Sequence, residues 1–462
     1  MTKPGHSSVI LLDNGADTIK IGRVEDSSPR VHVNGLAQVR WDTLTGAPVT
    51  ADLAGATPGR GVVCGAALDQ LSPLGLQVRR PIDRGLVTDL ALQAQIWSGV
   101  LAQEKLSLTD ERLVLTVPPL CPQPVLERLL KTAFYYFGVK AVHITSAAYA
   151  ALWRHEALLV ESGATAPTML PLNGTGIVVD TGHSFSHVVP IINRVPLNYA
   201  VRRLDIGGRL LSNYLKELIS YRSWNVMKES YLVHRLKERV CYVCMDLTQE
   251  LRESQQHPES TRLRYLLPDE TDVGDARWGR LLAPVGPTSQ TAATNDHGAE
   301  ASSESPASSQ SVLTLTNEHF LVPESLFAPQ DTIQARQCGI AELVFQSLER
   351  IPRALWPPLL QHVVLVGGNV RMKGFGERFL RELRARMPIF MPVRVWIGRH
   401  EVGDARFELD DNVSDPVSAG WFGLRALTQR ANTDVDDQFW LTREMFERKG
   451  ISAIERHWIH IG

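Results

Sequence analysis

One pattern occurs twice in this chain: an apolar strand, an Asp-x-Gly turn and a returning strand. The first copy is V-I-L-L-D-N-G-A-D-T-I-K-I-G, from Val9 to Gly22, and the second is G-I-V-V-D-T-G-H-S-F-S-H-V-V-P, from Gly176 to Pro190. Glycine lets a main chain approach a ligand closely, so two such hairpins facing each other can clamp phosphates with backbone N–H groups. Both copies are altered where a phosphate would sit. Asp17 lies in the first turn and His183 in the second.

A chain of 462 residues exceeds one ordinary hydrophobic core, so two or more lobes are expected. Its 44% hydrophobic and 21% charged residues are those of a globular protein. A net charge of −2 argues against a dominant nucleic-acid-binding face, and Arg79-Arg80 and Arg202-Arg203 are too short for a basic import stretch. The apolar run before Asp13 is only Val9 to Leu12, too short for a signal-peptide core. No apolar run approaches the roughly 18 residues of a membrane helix. Five cysteines suit a reducing compartment, and the expectation is a soluble intracellular protein with no membrane partner.

Apolar β-rich segments alternate with helical patterns, which predicts an α/β fold. R-L-V-L-T-V from Arg112 reads as a buried strand, with a helix through Val125, Leu129 and Phe134 after it. Leu211, Tyr214, Leu215 and Leu218 recur at helical spacing after Gly207-Gly208, and a long helix is expected from about Lys228 to Leu251. H-V-V-L-V-G-G-N from His362 reads as a strand entering a glycine turn. The helix Gly374 to Met387 follows, with Phe375, Phe379, Leu380 and Leu383 inward. Pro284 to Ser311 is Ser, Ala, Thr, Gly and Pro with three acids and no Lys or Arg, so a disordered insertion is expected there. A weaker loop region spans Trp41 to Arg60.

Asp13 and Asp180 could each hold a water of a hydrated magnesium ion, and the Lys20 ammonium could reach a phosphate. The same residues could equally be turn braces, and spacing alone leaves both readings open. Cys241-x-x-Cys244 has redox or zinc spacing, but it falls inside the expected helix with no second pair nearby, so core thiols are the reading. His183 and His187 run from turn into strand and read as satisfied polar histidines. Gly207 to Leu210 reads as a plain helix start.

These motifs together resemble the actin family over nearly the whole chain. D-N-G-A-D-T-I-K-I-G and D-T-G-H-S-F-S-H-V-V-P resemble its two phosphate loops. R-R-P-I-D-R-G-L-V-T-D resembles the return into its small domain, L-K-E-R-V-C-Y-V its ribose- and adenine-lining helix, and V-L-V-G-G-N its third nucleotide-facing turn. R-R-L-D-I-G-G-R-L-L-S-N-Y-L-K-E-L-I-S-Y-R-S-W-N-V-M-K-E-S from Arg202 resembles more narrowly the sixth class of actin-related proteins. So do Y-L-L-P-D from Tyr265 and T-N-E-H-F-L-V-P-E-S-L-F-A-P from Thr316.

The resemblance implies an actin fold: duplicated ribonuclease-H-like lobes around a nucleotide cleft, with four subdomains. The small lobe would comprise 1–170 and 416–462, with subdomain 2 near 33–81. The large lobe would comprise 171–415, with subdomain 4 near 205–330. The chain would cross between lobes near Ala147 to Leu152 and near Pro416. Asp13, Gly15, Lys20, Asp180, Gly182, Lys237, Glu238, Gly367 and Gly368 match nucleotide-surrounding positions. Five positions depart: Ala16 for a serine, Asp17 for a glycine, His183 for an acid, Ala147 for the water-placing glutamine and Met372 for a tyrosine against the adenine. His187 keeps the family's histidine near that water.

A carboxylate about 4 Å from a phosphate charge costs roughly 4 kcal/mol at an effective dielectric near 20, on the order of a thousandfold in affinity. Ala147 cannot position a water, a loss worth about a hundredfold. The expectation is weak or absent nucleotide binding, with ATP or ADP and magnesium at most a structural ligand, no metal site and no useful hydrolysis. The sixth class implies a nuclear, non-catalytic docking subunit of an SWR-type remodelling complex, present in the cytoplasm before assembly. Such complexes exchange a nucleosomal histone dimer for one with the Z variant. Implied partners are a Snf2-type motor subunit, a zinc-finger HIT protein and, within the assembly, the nucleosome. Filaments are not expected. The rival readings are an active nucleotide hydrolase and a cytoskeletal polymer or capping protein.

Overall fold

Val9–Asn14 and Thr18–Arg23 form an antiparallel hairpin in which Asp13 faces Lys20. Its first strand also pairs, in parallel, with Arg112–Val117. Gly176–Thr181 and Ser186–Ile192 repeat the arrangement: Asp180 faces His187, and the first strand pairs in parallel with Val363–Val366. The duplication read in the sequence is therefore a duplication of sheet topology. The structure is a computed structural model and describes residues 8–41, 48–49, 59–162, 173–269, 274–282, 311–403, 415–431 and 439–454.

The first sheet runs, in spatial order, Leu441–Thr442, Ala141–Ser146, Arg112–Val117, Val9–Asn14, Thr18–Arg23 and Arg30–Val33, so it draws on both ends of the chain. The second runs Val195–Pro196, Ser186–Ile192, Gly176–Thr181, Val363–Val366, Val395–Ile397 and His400–Glu401, with Arg202–Leu204 paired to Ser186–Ile192. The central strands are apolar on both faces because helices cover both sides. Ile10, Leu11, Ile177, Val178 and Val179 are fully buried, each stabilising the fold by roughly 1.5–3 kcal/mol.

Helix Ala147–Ser162 leaves the first sheet, and helix Ala419–Ala431 returns toward it from the second. The two pack face to face. A Cβ at Gly423 would lie 1.8 Å from the Ala150 carbonyl oxygen, so only glycine permits this approach. Two smaller bodies stand above the sheets. Leu36–Trp41, Pro48–Val49, Gly59–Cys64 and Val78–Arg79 form one small sheet. Leu263–Leu266, Arg280–Leu281 and Val312–Leu315 form another, beside helices Gly208–Arg222, Ser230–Val240 and Leu247–Gln256.

One expected helix is corrected. The run from Lys228 to Leu251 is not continuous: it stops at Val240 and restarts at Leu247, capped by the Asp246 carboxylate on the Thr248 and Gln249 N–H groups. Between them the chain is extended, because Tyr242 N–H donates to His319 O and Val243 N–H to Lys373 O. Cys241 and Cys244 thus lie in a connection rather than a helix. Both are buried, and burial pushes each thiol up to about 12, so they are core thiols. Of the segment 284–311 only Ser311 lies within the described residues, and most of 41–60 lies outside them. Among the described residues no helix is long and apolar enough to cross a membrane.

Candidate nucleotide cleft and its side-chain clasp

The turns of the two hairpins face each other across a cavity of about 870 Å³, a volume suited to a nucleotide. All fourteen residues singled out from the sequence, matches and departures alike, line it. In the first hairpin, Asp13 Oδ2 pairs with Lys20 Nζ at 3.3 Å, and Asp13 Oδ1 accepts from Thr116 Oγ1 at 2.7 Å. The turn is braced from behind: Asn34 Nδ2 donates to Gly15 O (2.8 Å), and Trp97 Nε1 to Asn14 Oδ1 (3.1 Å). A Cβ at Gly15 would meet Thr18 O at 2.7 Å.

In the second hairpin, Gly182 O accepts from Gly208 N–H and from Asn369 Nδ2, each at 3.0 Å. Gly367 has φ +99°, and a Cβ there would lie 2.3 Å from Thr181 O, so the third turn requires glycine. Burial, and then the Asp13 carboxylate, push Asp180 up to about 7, with Lys20 opposing. Lys237 is buried and donates to Gly208 O at 3.0 Å; burial lowers its ammonium below the ordinary lysine value. His187 is buried edge-on to Phe185, and burial brings its imidazole down to about 3.

The altered positions do more than remove phosphate ligands. Asp17 reaches out of the first turn into a basic cluster. Its Oδ1 pairs with Arg80 Nη2 at 2.6 Å and lies 3.8 Å from His183 Nδ1, while its Oδ2 lies 3.2 Å from His234 Nε2. Arg80 Nη1 also donates to the Asp17 carbonyl at 2.9 Å. Burial raises the Asp17 carboxyl, but His234, Arg80 and His183 outweigh it and hold the group well below the usual carboxylate range. Burial holds His183 well below the ordinary histidine value. Ala16 and Ala147 offer only methyl groups, Met372 is packed into the large-lobe core, and Glu238 turns to Arg235 Nη1 at 3.1 Å. Nothing crowds Gly368.

A phosphate between the two turns would meet the Asp17 carboxylate and displace its contacts with His183 and His234. The residues present therefore do not fit a fully engaged terminal phosphate. Asp13, Lys20, Asp180 and Lys237 line the same cavity. Arg80, His234, Thr116 and Asn369 escaped the sequence reading. Arg80 was legible only as part of a short basic pair and of the R-R-P-I-D-R-G motif, with no role at the turn, and His234 lies one turn before Lys237 on the same helix, the only local hint of its position.

A second set of contacts closes the cleft from above. Asp69 accepts from Tyr231 Oη at 2.6 Å and pairs with Arg235, and its carbonyl accepts from Arg277 at 2.6 Å. Gly75 N–H donates to Glu229 Oε2 and Gln77 Nε2 to Lys228 O, both at 2.7 Å. Val33, Val63, Leu68, Leu71 and Leu76 from one side form a single apolar cluster with Tyr231 and Trp278 from the other. Arg209 pairs with Asp83 at 2.7 Å, and Phe185 packs so tightly on Gly85 that a Cβ there would fall 1.8 Å from its ring.

Comparison with known proteins agrees with this architecture. Actin-related protein 6 of Neurospora crassa is 31% identical over 97% of this chain and 94% of its own length. Actin-related protein 6 of Drosophila melanogaster is 29% identical over 97% of this chain and 99% of its own length, and that of Arabidopsis thaliana 28% over 98% and 100%. The family model described as Actin matches residues 5–458, and the chain belongs to the actin family.

Proposed function

We propose that this chain is a non-catalytic, actin-related docking subunit of a nuclear SWR-type remodelling complex. In this reading a Snf2-type motor subunit supplies ATP hydrolysis, and the complex exchanges nucleosomal histone dimers for the Z variant. A zinc-finger HIT protein is the second partner, and the nucleosome is met within the assembly. The chain reaches the nucleus after synthesis and joining of partners in the cytoplasm. The names of the relatives support the actin-related part of this reading.

The observation that carries the non-catalytic part is the Asp17–Arg80–His183–His234 cluster joining the two turns. A cleft bridged by its own side chains presents partners with one conformation, and Ala147 leaves no side-chain group to orient an attacking water. Affinity purification of the tagged chain from its own cells, followed by identification of co-purifying subunits, tests the docking role. Recovery of a Snf2-type motor and a HIT-finger protein is expected; recovery of cytoskeletal proteins alone would contradict it. The retained Asp13, Lys20, Asp180 and Lys237 favour a second reading, a nucleotide-binding protein with residual hydrolysis. Steady ATP turnover by the isolated chain would support that reading.

A further inference from the structure

We infer that Asp17, His183 and His234 form a zinc site that staples the first-hairpin turn to the second-hairpin turn and to helix Ser230–Val240. One carboxylate oxygen and one nitrogen from each imidazole lie within 4.8 Å of one another. The carboxylate oxygens lie 3.2 Å from His234 Nε2 and 3.8 Å from His183 Nδ1. Around a tetrahedral zinc ion with bonds near 2.0–2.1 Å, ligand atoms stand about 3.3 Å apart, so donors within 4.8 Å of one another need draw together by no more than about 1.5 Å to share one ion. The fourth position falls to water or to Glu238, whose Oε1 is 3.6 Å from His234 Nε2.

The state of the two histidines points independently to a cation. The His183 side chain is only 9% exposed, and both its ring nitrogens are buried without a hydrogen-bond partner. Orphaned buried nitrogens are costly, and a metal bond to Nδ1 satisfies one of them. Ser212 Oγ donates to Gly208 O at 2.9 Å and lies 3.1 Å from His234 Nδ1. With its hydroxyl proton on Gly208, Ser212 accepts from His234 Nδ1–H, and the Nε2 lone pair then faces the Asp17 carboxylate. A proton or a metal ion must then lie between Nε2 and the Asp17 oxygen 3.2 Å away. Arg80 steadies the carboxylate and Ser212 the imidazole, the outer-shell arrangement that orients metal ligands. Two imidazoles and one carboxylate suit zinc, whereas magnesium and calcium prefer all-oxygen shells.

This extends the reading of the cleft as a fixed structural unit. Its test is separable from that reading because it follows metal rather than partners. The full-length chain is stripped with chelator and titrated with zinc against a chromophoric competitor, and the zinc-loaded chain is measured by zinc-edge X-ray absorption. One zinc per chain is expected, with a nitrogen and oxygen shell, two imidazoles and no sulfur. His183→Phe and His234→Gln should each weaken zinc binding by at least about the hundredfold that marks the upper end for loss of an outer-shell partner. A Cys241→Ser, Cys244→Ser double variant should bind zinc unchanged. No zinc bound at one equivalent, or sulfur in the absorption shell, would overturn the assignment. The spectrum of the unmodified chain decides this even if a histidine variant fails to fold.

Discussion

At the scale of single residues, the cleft's charged side chains pair with one another, and buried titrating groups inside and outside it tie stability to pH. Asp180 keeps its proton up to about pH 7, whereas in the unfolded chain it is lost near pH 4. The folded state therefore loses stability as pH rises between those values. Asp180→Asn should raise the unfolding free energy from urea titration at pH 8 by an amount on the order of 4 kcal/mol and change it little at pH 4. An equal effect at both pH values would contradict this. Buried histidines act in the opposite direction. Burial brings His155 and His187 down to about 3 and His319 to about 4. Below about pH 6.5 the unfolded chain takes protons that these folded groups refuse, so acidification destabilises by up to about 1.4 kcal/mol per pH unit for each. In His155→Phe the slope of unfolding free energy against pH between 6 and 4 should be shallower by up to that amount.

At the scale of elements, the turns and the clasp carry separate predictions. Gly367 combines φ +99° with a carbonyl 2.3 Å from where a Cβ would sit, so Gly367→Ala should cost more than about 2 kcal/mol in denaturant unfolding. Asp69 is partly exposed, so Asp69→Ala should cost only about 1 kcal/mol in global stability. Its effect should appear in amide exchange, which should speed up across Gly65–Gln70 and Ser230–Val240, where Tyr231 and Arg235 lose their bonds to Asp69. Unchanged exchange in both segments would mean that the apolar cluster around Trp278 holds the clasp alone.

The elements also show what was legible in the sequence. The paired hairpins, the strand before Gly367-Gly368 and the helix Phe375–Arg386 follow from apolar runs and glycines, which are local signals. Asp13, Lys20, Asp180, Asp17 and His183 were read from the hairpins themselves, whereas Ala16, Ala147, Lys237, Glu238 and Met372 were reached only through the motif resemblance. The break after Val240 was not legible, because V-C-Y-V continues a helical pattern and is made extended by carbonyls at His319 and Lys373. Arg80 and His234 were missed for the same reason: their partner is a turn far away in the chain, and local spacing carries no trace of it. Asp17 was read as a charge repelling phosphate. The fold shows it neutralised by Arg80 and engaged with the opposite turn.

At the scale of the whole molecule, two lobes built on repeated sheets meet through helices Ala147–Ser162 and Ala419–Ala431, through the turn cluster, and through the upper clasp. On the proposed docking reading, concentrated protein with salt and ATP should remain in the supernatant on sedimentation rather than pellet as filaments. In the proposed function the chain's own side chains hold the cleft where a terminal phosphate would. Titration of the purified full chain and of Asp17→Gly with Mg–ATP, with product formation followed in parallel, addresses it directly. Removing the carboxylate takes a negative charge from the turn and frees Arg80 Nη2, so Asp17→Gly should bind Mg–ATP between about tenfold and a thousandfold more tightly than the unmodified chain, with no turnover in either. Purification of the unmodified chain with stoichiometric ATP that it steadily hydrolyses would contradict the account.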